Sequence, residues 1–296
     1  MRFLSDKLKK VRSLIVNSIA NPVLICRENP LFEYFSDDPR ADCIQIMNFN
    51  IYYIGSKDIN ASFEEPDPKS CLVQPYFSQR KLKACEISLE DLFQFPLSDE
   101  IRAISQFKGK LQEIIVSSLS EGSAELTEEQ ISNIIREKVC SLGVKMFYEP
   151  IVAFDNNIQE IWHKPESKSV GKAGYVEVSS SVDGLSSLFS ETFLFSENET
   201  LISSYQSILG AIDLIRENFV EGARTSYIGT ILENFRNEKL YLTNPLFPFK
   251  CHLIPGEDEV VHTGDVAIFD LWNRAGDVYI RKKVMALAGS YKAEIL

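Results

Sequence analysis

Basic residues are in short supply. The chain carries 31 Lys and Arg against 42 Asp and Glu, a formal net charge of −11. That balance excludes nonspecific binding to a phosphate backbone or an anionic membrane, while leaving a basic partner open. Long hydrophobic runs are missing as well. No stretch of about 18 apolar residues occurs, so no membrane span is expected. The opening Met1-Arg2-Phe3-Leu4-Ser5-Asp6-Lys7 enters a segment with charges spread through it. Without an uninterrupted apolar core, no signal peptide is expected. Six cysteines (Cys26, Cys43, Cys71, Cys85, Cys140, Cys251) are scattered with no C-x-x-C pair. Reduced thiols in a cytoplasmic protein are therefore expected. Gly-x-Ser-x-Gly is absent, and Ser179-Ser180-Ser181 has no evident base, which argues against a serine nucleophile. Cys251 adjoins His252, but neighbours on a strand point to opposite faces, so a Cys-His pair is not expected. No internal repeat or low-complexity tract occurs.

What is present suits a globular protein of one or two domains: 296 residues, 45% hydrophobic and 25% charged. Helical periodicity runs from about Arg2 to Ile19 and stops at Asn21-Pro22. Pro22–Cys26 and Asn48–Gly55 read as strands with turn-rich connections between them. Glu64–Ser70 reads as a loop. Together they suggest a mixed α/β lobe over residues 1–95. After the boundary at Phe95-Pro96-Leu97-Ser98, Ser98 is a good N-cap for a helix carrying Ile101, Ile104, Phe107, Leu111, Ile114 and Ile115. Thr127 and Gln130 make a capping box for a helix ending near Gly143. Phe147–Phe154 reads as a strand. Gly174–Phe193 reads as two strands around Asp183-Gly184, a dipeptide suited to a tight turn. Ser196 and Glu199 spell a second capping box, for a helix to about Val220 with Gly222 as its C-cap. A shorter helix is expected over Tyr227–Phe235. Asp265–Trp272 and Val278–Leu287 read as strands joined through Asn273-Arg274-Ala275-Gly276.

The stretch GYVEVSSSVDGLSSLFSETF, residues 174–193, resembles the corresponding stretch of the pita-bread metallopeptidase superfamily. That group includes methionine aminopeptidases, proline dipeptidases, Xaa-Pro aminopeptidases and creatinases. Its pattern there is V-D-x-G, then G-Y-x-S-D-x-x-R-T-F. Gly184-Leu185, Ser187 and Thr192-Phe193 keep the frame, and Glu191 stands where the family often has Arg. Phe147–Ala153 is similar to the family's F-x-P-I-V-A phrase. It is followed by Trp162-His163-Lys164-Pro165, where the family's pocket His falls on Trp162 with His163 beside it. The resemblance spans about residues 98–290. It implies an α/β (α+β) fold: a pita-bread domain over residues 96–296 with curved antiparallel sheet and flanking helices, behind a small creatinase- or prolidase-like lobe at residues 1–95.

The family holds two divalent metals on two Asp, one His and two Glu, and the metals activate a shared water. On the resemblance, Glu177 stands at the first Asp and Leu188 at the second. Pro245 stands at the metal-binding His, and His252 matches a second, substrate-side His. Asp270 stands at one Glu and Arg281 at the other. Two ligands have become residues without donor atoms and one has become a cation. The resemblance therefore implies a catalytically inactive proline-dipeptidase-like protein with no metal, whose cleft takes a peptide or protein, and which forms a homodimer as relatives do. The alternatives are a functional Xaa-Pro dipeptidase or aminopeptidase using Mn or Co, and a metal-free creatinase-like amidinohydrolase served by His163 or His252. Arg281 is expected to neutralise both Glu177 and Asp270 in place of the metals. On residue type alone, Glu177 and the run Arg281-Lys282-Lys283 would be solvent-facing. The tryptophans would be packing residues, and the three histidines polar surface or core-edge residues.

Overall fold

A computed structural model describes residues 23–27, 32, 35–36, 41–47, 50–54, 72–73, 98–120, 126–182, 185–233, 240–243 and 258–296. The expected first helix, the Glu64–Ser70 loop, the Asp183-Gly184 dipeptide, Pro245 and His252 lie outside the described residues.

The first sheet has the order β3-β2-β1-β4, built from β1 (Val23–Cys26), β2 (Cys43–Met47), β3 (Asn50–Ile54) and β4 (Leu72–Val73). Strand β2 falls in a segment that reads as connection. It pairs antiparallel with both β1 and β3, bringing Cys26 opposite Cys43. Cys43 is disulfide-bonded, which corrects the expectation of six reduced thiols. Cys140 is an exposed free thiol.

Two helices follow: α1 (Ser98–Ser120) and α2 (Glu128–Ser141). The described part of α1 begins at Ser98, the residue expected at its start. Thr127 caps α2 and forms the expected capping box with Gln130. The turn after α2 uses Gly143 at φ 72°. The strand expected over Phe147–Phe154 is shorter. Strand β5 covers Lys145–Met146 and β6 covers Ile151–Phe154, with a bend between them. A 3-10 turn over Asp155–Gln159 comes next. Asp155 enters it at φ 50°, and its Oδ1 accepts from Lys172 N at 2.7 Å and Ala173 N at 3.0 Å.

Two long hairpins carry the rest. Strand β7 (Ala173–Val182) pairs antiparallel with β8 (Leu185–Leu194), placing Glu177 opposite Ser190 and Ser179 opposite Leu188. Helices α3 (Glu199–Asn218) and α4 (Thr225–Glu233) lead to β9 (Leu240–Thr243). The cap of α3 is Asn198, whose side chain accepts from Thr200 N and Leu201 N. The expected Ser196–Glu199 box is therefore corrected, because Glu199 is already the first helical residue. Phe219, not Gly222, closes α3, and Gly222 serves a later turn at φ 81°. Strands β10 (Val266–Ala275) and β11 (Val278–Leu287) form the second hairpin, and β12 (Glu294–Ile295) adds to β11. Its turn is tighter than expected: Ala275 pairs with Val278, and Gly276 takes φ 67°.

Period-two patterning assigns the faces. Val176, Val178 and Phe189 join Phe107, Leu111, Ile115, Ile131, Ile135 and Val139 in one core beneath α1 and α2. Phe269, Leu271, Ile280 and Val284 join Ile208, Ile212, Ile215 and Phe219 in another beneath α3. Each hairpin thus turns one face to its helices. The alternate residues, Glu177 on β7, Asp270 and Trp272 on β10, and Arg281 and Lys283 on β11, share the opposite side. The hairpins meet along β8 and β11 through hydroxyls. Ser190 Oγ accepts from Lys283 N at 2.8 Å, and Thr192 Oγ1 accepts from Arg281 N at 3.3 Å while donating to Arg281 O.

Candidate functional site

The register of the β10–β11 hairpin sets the site. Asp270 lies directly opposite Lys283, and Trp272 directly opposite Arg281. Opposite and diagonal side chains on one face are within reach of each other. Arg281 takes the diagonal and grips Asp270 with two parallel bonds, Nε to Oδ1 at 2.9 Å and Nη2 to Oδ2 at 2.7 Å. Its third nitrogen, Nη1, donates to the Glu160 carbonyl at 3.3 Å. The guanidinium lies 4.2 Å from the Trp272 ring centroid and 5.0 Å from that of Tyr175. Arg281 is 0% exposed, so it is no solvated surface cation.

Glu177 is also 0% exposed. Its Oε1 accepts from Tyr148 OH and from Lys283 Nζ at 2.9 Å, and its Oε2 accepts from Tyr175 OH. Arg281 therefore does not pair both acids, as expected from the sequence. It takes Asp270, and Lys283 takes Glu177. Lys283 Nζ also lies 4.0 Å from Asp270 Oδ2, spanning the two carboxylates. The ammonium sits 5.8 Å from the Trp162 ring centroid, and Trp162 meets Tyr148 edge-on at 5.4 Å. The importance of Lys283 is hidden in a three-residue basic run that reads as solvated. Its place two residues after Arg281, on the same strand face, is the available signal.

The electrostatics follow from burial against charge. Burial pushes the Glu177 carboxyl up, but Lys283, Arg281 and the two tyrosine hydroxyls outweigh it and hold Glu177 below its ordinary value. Burial also pushes Asp270 up. Arg281 and Lys283 oppose this without cancelling it, and Glu177 adds to the rise. Burial would lower Arg281, yet Tyr175, Asp270 and Glu177 together raise it, so the guanidinium stays charged. Tyr148 and Tyr175 are raised chiefly by burial and then by the Glu177 charge, so both hydroxyls remain donors.

The remaining candidates fall elsewhere. Leu188 is buried two residues along the same face as Glu177 and offers no donor atom. His163 is buried, with Nε2 2.7 Å from Glu128 Oε2 and Nδ1 3.1 Å from Glu160 Oε2. Glu128, 0% exposed, also accepts from Phe154 N at 2.6 Å and Glu166 N at 3.0 Å. His163 thus belongs to a buried cluster with Glu128 and Glu160, and the Glu160 carbonyl accepts from Arg281. His262 is on the surface beside Glu221. Trp272 packs in the site, whereas Trp162 is 70% exposed rather than a packing residue. Glu191 pairs with Lys282 at 2.5 Å and accepts from Tyr205 OH at 2.8 Å.

No protein-family model matches the chain, and no curated protein matches it. Solved structures do. An X-Pro aminopeptidase from Thermotoga maritima MSB8 superposes with a TM-score of 0.70 at 12% identity, covering 93% of this chain and 94% of that one. The chain has the pita-bread fold. A prolidase from Pyrococcus horikoshii OT3 gives 0.65 at 14% identity, and a Xaa-Pro dipeptidase from Bacillus anthracis gives 0.67 at 13%. Both comparisons cover 98% of this chain and 97% of the other. At such identities the likeness concerns the pita-bread fold and leaves the chemistry to the residues.

Those residues do not fit a pair of metals. A metal-binding carboxylate must offer free oxygen lone pairs. Every oxygen of Glu177 and Asp270 already accepts an internal donor, and the cationic donors Lys283 and Arg281 neutralise both acids, so a metal would have to compete with them. Leu188 offers no donor atom, and two cations already stand against the two acids. Among the described residues, no group of three or more His, Cys, Asp or Glu side chains could hold a metal ion.

Proposed function

We propose that this protein is a pseudo-peptidase: proline-dipeptidase-like in fold, catalytically inactive, without a metal cofactor, and binding a peptide or another protein in its former active-site cleft. One observation carries the reading. Glu177 and Asp270, the carboxylates that the resemblance assigns to two metal-ligand positions, are neutralised by Lys283 and Arg281 of the same chain. Peptide hydrolysis in this fold needs a Lewis-acidic ion to generate the nucleophile. A quartet neutralised by two resident cations attracts such an ion weakly. The reading includes a cytoplasmic protein that binds neither nucleic acid nor membrane and forms a homodimer. The net charge of −11 supports the exclusion of nucleic acid and anionic membranes. No helix among the described residues is long and apolar enough to cross a membrane.

Metal analysis of the purified protein, with Xaa-Pro dipeptide hydrolysis assayed in added Mn²⁺ or Co²⁺, tests the proposal. The expected result is substoichiometric metal and no turnover. Stoichiometric metal with Xaa-Pro cleavage would overturn it.

A further inference from the structure

We infer that the Lys283 ammonium is a tethered occupant of the cleft: it fills the place of a bridging cation between Glu177 and Asp270 and keeps divalent ions out. The inference rests on the metal-free reading above and goes beyond it, because it assigns the exclusion to one side chain. The geometry is that of a bridge. Nζ stands 2.9 Å from Glu177 Oε1 and 4.0 Å from Asp270 Oδ2, acids on two different hairpins. The Trp162 ring lies over the ammonium, its centroid 5.8 Å away. Its backbone is pinned where β11 meets β8, since Lys283 N donates to Ser190 Oγ at 2.8 Å.

Arg281 cannot fill the same role. Its fork is consumed by Asp270 and the Glu160 carbonyl, and its plane is covered by Trp272. Glu177 has no other side-chain cation bonded to it among the described residues. Its two further donors, Tyr148 OH and Tyr175 OH, are neutral. A buried carboxylate left with neutral donors alone is costly and draws in any cation that fits. Removing the Lys283 ammonium therefore opens a position bounded by two carboxylates and an aromatic face. Its ligand would be a small cation, either a divalent metal ion or an organic ammonium.

The experiment compares the wild-type protein with Lys283→Ala by calorimetry and thermal melting in MnCl₂. A second arm adds n-propylammonium chloride, which matches the atoms that the substitution deletes. The wild type should not respond. Lys283→Ala should bind one Mn²⁺ at least about tenfold more tightly than the wild type. Its melting temperature should rise by about 2 °C with the ion at ten times its Kd. Propylammonium should compete with Mn²⁺, and Glu177→Gln combined with Lys283→Ala should abolish the response. If Lys283→Ala fails to fold, Lys283→Met, which keeps an apolar stem and loses only the ammonium, carries the Mn²⁺ readouts, with ammonium chloride in place of propylammonium. A folded variant with no gain over the wild type overturns the inference. So does Mn²⁺ binding that propylammonium leaves untouched. Stoichiometric metal and Xaa-Pro cleavage by the wild type would instead sink the pseudo-peptidase reading, so the two failures are distinguishable.

Discussion

Arg281 is the largest fully buried side chain among the described residues, and its partners are all internal. Removing one member of a buried ion pair strands the other charge, at a cost of about 3–5 kcal/mol. Arg281→Leu should lower the free energy of unfolding by that order, read by urea denaturation. Combining Asp270→Leu with Arg281→Leu should recover much of the loss, because two apolar groups need no pairing. If the double variant is no better than the single one, the pair does not act as a unit. Glu177 supplies a pH signature. Its folded value is lowered, so the unfolded chain takes up this proton first on acidification. Its contribution is complete above the unfolded value of about 4.3 and drains as pH falls through the folded value. Asp270, raised by burial, has the opposite sign: its contribution is present below its unfolded value and is lost as pH rises through the folded one. Glu177→Gln should therefore flatten the acid limb of the stability–pH curve. An unchanged limb would show that Glu177 is not held ionised by its neighbours.

Among the elements, the start of α3 shows how local chemistry chooses between two sequence signals. Ser196-x-x-Glu199 spells a capping box, but Asn198 is also a strong N-cap, and its Oδ1 reaches Thr200 N at 2.9 Å and Leu201 N at 3.2 Å. Asn198→Ala should cost about 1 kcal/mol, whereas Ser196→Ala should stay within about 0.5 kcal/mol. Equal losses would put the cap elsewhere. Helix α1 is tied to the end of the second hairpin system by Lys108, whose Nζ donates to Leu296 O at 2.7 Å. Burial lowers the Lys108 ammonium to about 8, with Lys282 adding to the effect and Glu191 opposing it. Between this value and that of a free lysine, near 10.4, the unfolded chain binds the extra proton. Stability should therefore rise with pH from about 8 towards 10, and Lys108→Met should remove the rise. A slope identical in both proteins would place its origin in another group.

At the scale of the whole molecule, the hairpins and helices of residues 98–296 are legible in period-two and period-3.6 patterning. Residue order alone separates Val176 and Val178 from Glu177, and Ile280 from Arg281. The buried state of Glu177 and Arg281 is not legible this way, because burial on the polar side of a strand depends on what faces it from another hairpin. The choice of partners is hidden for a related reason. Register places Lys283 opposite Asp270, yet the diagonal reach of Arg281 takes that acid and frees Lys283 to cross to β7. Strand β2 escapes a reading by pattern because its flanks are rich in turn-forming residues. A chelator test belongs at this scale. Prolonged EDTA treatment should leave the melting temperature within about 1 °C of the untreated protein, since an ion bound tightly to the folded state alone would shift it by several degrees.

The chain has two tryptophans in opposed settings: Trp272, 3% exposed beneath a guanidinium, and Trp162, 70% exposed above Lys283. The site thus contains its own optical probe. Acrylamide should quench the red-shifted emission of Trp162 and leave the other band largely intact. Any guest seated against Lys283 should shield that fluorophore, so occupancy could be followed without a label.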